Sequence, residues 1–122
     1  MDRAAHSRCQ TKTHFALLGF QRSQFSSSAD VKFTINLKVV SMATWTEMRQ
    51  SRPRFPAKPA PSTGYGTFEW HKRIGMLLPG GEDRWWQLRA GQDNATTIAE
   101  VVDVLTNVAV PALRKQLEVA IG

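Results

Sequence analysis

In the stretch TFEWHKRIG, Glu69, His71 and Arg73 stand two residues apart. On a β-strand that spacing puts all three on one face. A carboxylate there can orient an imidazole, and an imidazole can move a proton near neutral pH. The same pattern also describes an ordinary solvated face of mixed charge, and spacing alone does not separate the two. Twelve residues beyond Arg73 the pair Trp85-Trp86 follows a Pro-Gly-Gly turn. Neighbours on a strand face opposite ways, so one ring is available to a core and the other to a surface. The chain holds no G-x-S-x-G, H-E-x-x-H or G-x-x-x-x-G-K-[ST] signature. His6, His14 and His71 lack ligand spacing, and Cys9 is the only cysteine. No metal and no cofactor is expected.

The elements that must position these residues follow from periodicity. THFALLGFQ is apolar on both faces and reads as a strand, central in the sheet. SQFSSSAD is a turn. In VKFTINLKV, Val31, Phe33, Ile35, Leu37 and Val39 alternate with Lys32, Thr34, Asn36 and Lys38. Strict period two argues a half-buried strand of an antiparallel sheet. TWTEMRQ forms a short helical turn. Pro53, Pro56, Pro59 and Pro61 then exclude helix and central strand, which leaves a long, mobile, basic loop over 51–66.

TFEWHKRIGMLL and DRWWQLR read as a hairpin around Pro79-Gly80-Gly81-Glu82. In that register Met76 faces Trp85 and Gly75 faces Trp86. Trp85 joins the core beside Phe68, Trp70 and Ile74. Trp86 and Arg84 join Glu69, His71 and Arg73 on a polar face, together with Lys32, Thr34, Asn36 and Lys38. A slip of one residue exchanges the two tryptophans. Thr97 and Glu100 give a capping-box spacing. Ile98, Val101, Val102, Leu105, Val108, Ala109 and Leu113 follow as a helical stripe, which Pro111 kinks or restarts.

Composition bounds the class. With 122 residues, 42% hydrophobic and 21% charged, the chain makes one domain. A tail at 1–12 lacks an apolar period and is expected to be disordered, leaving 13–122 as the domain. The formal charge is +6. Residues 49–58 carry Arg49, Arg52, Arg54 and Lys58 without an acid. Such a balance draws nucleic acid, anionic lipid or acidic proteins. The run FALLGF is too short for a signal peptide, and no run approaches the length of a membrane span. A single cysteine fits a reducing compartment, so a cytoplasmic location without membrane attachment is expected.

FQRSQFSSSADVKFTINL, the following WTEMR, and RIGMLLPGGEDRWWQL resemble the domain of unknown function 4304 family, known mainly from bacteria. The resemblance runs from about Phe20 to about Leu117. Its most specific part is RIG-x-LLP followed by D-x-WW-x-L. It implies no activity, cofactor or catalytic residue. Members usually open with an amphipathic helix, a Gly-Phe-basic segment and a first strand. Here twenty residues precede Gln21 and do not supply them, so an N-terminally truncated or altered member is expected.

The reading is an α+β domain, with an antiparallel sheet of about four strands packed on one face by a C-terminal helix. Its function is expected to be that of a non-catalytic binding or protein-interaction module. The alternative is a nucleic-acid binder on the basic sheet face, followed by an enzyme at Glu69, His71 and Arg73. The candidate binding residues are Arg73, Arg84, Trp86, His71 and Glu69.

Overall fold

The computed structural model describes residues 13–122. The expectation for 1–12 lies outside the described residues. Four strands form one antiparallel sheet: β1 (His14–Arg22), β2 (Asp30–Ser41), β3 (Trp70–Arg73) and β4 (Trp86–Arg89). Three α-helices accompany it: α1 (Met42–Ser51), α2 (Ala95–Val104) and α3 (Val110–Ile121). The α+β class and the four-stranded sheet are as the periodicity indicated.

The sheet is organised around β2. On one side β1 pairs along it from His14↔Ser41 to Arg22↔Phe33. On the other, β3 covers Asn36–Val39 and β4 covers Asp30–Phe33. The strand β1 is therefore an edge strand, not a central one. Nor do β3 and β4 form a hairpin. They lie end to end along the same edge of β2, and residues 74–85 bulge out between them. The Pro-Gly-Gly turn is real, with the Gly81 amide donating to the Leu78 carbonyl at 3.0 Å. The chain before it is a 3-10 turn, Ile74–Leu77, where a strand was expected. Gly75 is needed there because a Cβ would lie 2.1 Å from the Glu82 carbonyl oxygen. Backbone, not the Trp86 ring, covers this glycine.

Register with β2 then decides the tryptophans. Trp86 sits opposite Phe33, on the odd-numbered face of β2, and stacks on it at 6.0 Å between centroids. That face is the core, so Trp86 is buried and Trp85 is the half-exposed ring. The two roles are the reverse of those expected from a hairpin. Ile35, Leu37, Ile74 and Trp86 meet Val101, Val104 and Ala109 of the C-terminal helical run in one cluster.

That run is continuous from Ala95 to Ile121. It opens earlier than the Thr97 capping box, with the Ala95 amide donating to Asp93 Oδ1 at 2.9 Å. Asn94 ties the helix start to the end of β4 by bonds in both directions with the Arg89 backbone. A π-turn, Leu105–Ala109, precedes Pro111, which has no N–H to give and crowds the preceding turn. The 27-residue run is long and apolar enough, by length and composition, to cross a bilayer, which the sequence reading had not anticipated. In this fold one stripe of it packs on the sheet.

The other sheet face is also covered. Thr34, Asn36 and Lys38 are 0%, 2% and 0% exposed, so of the alternating polar row of β2 Lys32 alone stays in solvent. The proline-rich segment after α1 lies over it. Trp45 of α1 stacks on Phe55 with centroids 5.1 Å apart, and Tyr65 meets Trp45 edge-on at 4.7 Å. The Trp45 indole donates to the carbonyls of Pro56 and Ala57 at 3.2 Å each. The Ala60 amide donates to the Tyr65 hydroxyl at 3.0 Å. Four prolines exclude regular structure, yet these rings and carbonyls pack the segment against α1 and the sheet. The expected mobile loop is a roof.

Candidate functional site

Residues at even positions of β2 share one face with residues 71 and 73 of β3. Lys38 pairs with His71 and Asn36 with Arg73. Glu69, just before β3, continues the row. The grouping expected from period two is therefore present, but beneath the roof. Lys38 Nζ lies 2.6 Å from Glu69 Oε1, and both side chains are closed to solvent. The ammonium also donates to the Thr63 carbonyl and sits 4.4 Å from the Tyr65 ring centroid. Glu69 uses its second oxygen to accept the Tyr65 amide at 2.6 Å. Burial holds the Lys38 ammonium below its ordinary pKa, while the hydrogen bond and charge of Glu69 act the other way.

His71 Nε2 lies 3.1 Å from Asn36 Oδ1. Asn36 spends its amide protons on Gln21 Oε1 at 2.8 Å and Ser62 Oγ at 3.4 Å. The Pro61 carbonyl also lies close enough to the ring to favour its charged form slightly. Burial lowers the His71 pKa most and the Lys38 charge lowers it next; the Glu69 charge opposes them, ahead of a further lowering by Arg73 and a small raising effect of Pro61. A neutral ring donates to only one of its two acceptors at a time. The carboxylate has thus chosen the lysine and a backbone amide, and no bond links Glu69 to His71. As an acid–base pair the two are separated; as an anchor for the loop they act together.

Arg73 reaches the edge of this row and emerges from it. Its guanidinium donates to Asp83 Oδ2 at 2.9 Å and to Gln21 Oε1 at 3.4 Å. Trp85 Nε1 donates to the same Asp83 oxygen at 2.9 Å. That indole bond, followed by Arg73, holds the Asp83 carboxyl below its usual range. Arg73 and Lys32 flank the Trp85 ring at 5.4 and 5.9 Å from its centroid. A shallow hollow beside it is lined by Gln21, Arg22, Ser23, Gln24, Phe25 and Trp85. Phe25 is 87% exposed.

Two candidate residues lie elsewhere. Trp86 is in the core, and its Nε1 has no hydrogen-bond partner. Arg84 turns toward the helix, pairing with Glu100 and lying 5.3 Å from the Trp86 ring centroid. Glu100 therefore serves an ion pair rather than a capping box. The Arg84 carbonyl accepts from Thr34 Oγ1 at 2.6 Å, closing the gap between β3 and β4. Trp85, Lys32 and Phe25 were absent from the candidate residues. Trp85 was discoverable from the one-residue slip that register permits, and Phe25 from a lone aromatic in a serine-rich turn. Among the described residues no group of three or more His, Cys, Asp or Glu side chains could hold a metal ion.

A model of one family, described as a domain of unknown function (DUF4304), matches residues 5–115. Comparison with curated proteins and with solved structures gave no match.

Proposed function

The chain belongs to the family described as a domain of unknown function (DUF4304), and from that premise we propose that it is a non-catalytic protein-interaction module. Its docking face is the open surface around Trp85, with Lys32, Arg73, Arg22 and Phe25. The observation that carries this reading is the contrast between two polar regions. The Glu69, His71 and Lys38 row is roofed and internally bonded, with its charges spent on each other and on loop backbone. Next to it a partly exposed indole with two cations within 5.9 Å of its ring centroid shares a hollow with an 87% exposed phenylalanine. Aromatic anchors beside an arginine are the usual centre of a docking surface.

The cations over Trp85 favour a second reading. An indole with Lys32 and Arg73 beside it also offers a nucleic-acid base a ring to stack on once the cations turn to phosphate. One experiment addresses both. The tagged chain and its Trp85→Ala and Lys32→Glu variants are used for affinity capture from the source cell, with and without nuclease. Under the protein reading a defined partner is retained through nuclease and lost with both variants. Nuclease-dependent capture moves the assignment to nucleic acid. Capture unaltered by either variant removes this face from consideration.

A further inference from the structure

The outer edge of the sheet carries a second, separate surface. Strand β1 is nine residues long and pairs only with β2. Among the described residues no backbone group of His14–Arg22 hydrogen-bonds outward from that edge. Between the end residues His14 and Arg22 it has neither charge nor proline, the devices that normally blunt an edge. On the helix side the edge borders an apolar trough of about 280 Å³ lined by Phe20, Phe33, Leu88, Ile98, Val102 and their neighbours. Phe20, Ile98 and Val102 are each more than half exposed.

We infer that this edge is a homodimer interface, in which β1 of a second copy pairs antiparallel with β1 about a two-fold axis through Leu18. The sequence HFALLGFQR is suited to meeting itself. The register that pairs all nine residues sets Phe20 against Ala16 and Leu17 against Gly19, a large side chain against a small one each time. It sets Leu18 against its own copy. Opposed residues share a face, so both helical layers lie on the same side and Phe20 of each copy is covered. Isologous pairing of this kind closes the β1 edge to further strands.

The area suits a dimer. The strand runs about 30 Å, and the sheet edge with its helical layer stands roughly 15–20 Å tall. The projected face is therefore roughly 450–600 Å². A corrugated surface buries more than its projection, which approaches the ~800 Å² per partner of a stable interface.

Sedimentation of the full chain across roughly 1–200 μM tests this. A mass of two chains is expected in the tens of micromolar, with Phe20→Lys raising the dissociation constant at least 100-fold while the circular dichroism stays native. Phe25→Lys, away from the edge, should leave the dimer intact. Should Phe20→Lys fail to fold, Leu18→Cys in a Cys9→Ser background reads the register directly, since oxidation should join two copies at that one position. A chain that stays monomeric throughout the range overturns the inference. So does a dimer that keeps its affinity in folded Phe20→Lys or fails to cross-link through Leu18→Cys. Monomeric association of the chain with neutral phosphatidylcholine vesicles, lost in Phe20→Lys, would also overturn it by assigning the trough to lipid.

Discussion

Lys38 and Glu69 form an ion pair with neither side chain open to solvent, 2.6 Å apart between a sheet and the loop that roofs it. Each partner also holds the loop by its main chain, Lys38 through the Thr63 carbonyl and Glu69 through the Tyr65 amide. Breaking such a pair from one side strands the other charge, at about 3–5 kcal/mol. Lys38→Met should therefore lower stability by that order in urea denaturation. The double change Lys38→Met/Glu69→Gln should cost less than the two single changes together. Strict additivity would show that the two groups do not depend on each other.

The tryptophans should separate cleanly. Trp86→Ala removes a core ring stacked on Phe33 and should cost about 3–5 kcal/mol. Trp85→Ala should leave the melting temperature within a few degrees, because its ring is half exposed over Arg73 and Lys32. It should also let the Asp83 carboxyl drift up toward its ordinary 3.8, because the indole N–H is the main group holding it down. Carbon-detected NMR titration of Asp83 would read that shift, and an unmoved value would show that Arg73 alone sets it.

Much of this arrangement was legible in the residues, and the parts that were not have physical causes. Period two in β2 placed Lys38, Asn36 and Thr34 on one face, and period two around His71 placed Glu69 and Arg73 with them. Pattern alone does not say what lies above a face. Prolines ruled out regular structure over Pro53–Pro61, but irregular backbone can pack as tightly as a helix when rings such as Trp45, Phe55 and Tyr65 interlock. Likewise the Pro-Gly-Gly signal marked a turn correctly. It could not reveal that the strands on either side take their register from β2 rather than from one another, and that decision exchanged Trp85 with Trp86.

His71 gives the roof a pH dependence. Its folded pKa lies below the ordinary 6.5, chiefly through burial and then through the Lys38 charge. As pH falls through 6.5 the unfolded chain takes up this proton first. The stability that the neutral ring contributes is complete above that value, and it drains away as pH falls through the lower, folded value. Melting temperature measured from pH 7.5 down to 5 should therefore decline with a slope that His71→Gln removes. An identical decline in that variant would place the titrating group elsewhere.

Gly19 connects the edge strand to the same roof. It lies opposite Asn36, and a Cβ added there would meet Pro61 Cβ at 2.7 Å and Cγ at 2.9 Å. Pro61 in turn places its carbonyl beside the His71 ring. Gly19→Ala must push the loop outward or strain β1, at an overpacking cost of about 1–3 kcal/mol. Outward movement admits water to the imidazole and relieves the burial that depresses its pKa. The His71 value should therefore rise toward 6.5 in this variant, read from the ring protons by NMR, while the assigned Trp86 indole N–H resonance stays native because the helix-side core is untouched. A ring that keeps its lowered value in a folded Gly19→Ala chain would show that Pro61 does not seat the loop over His71.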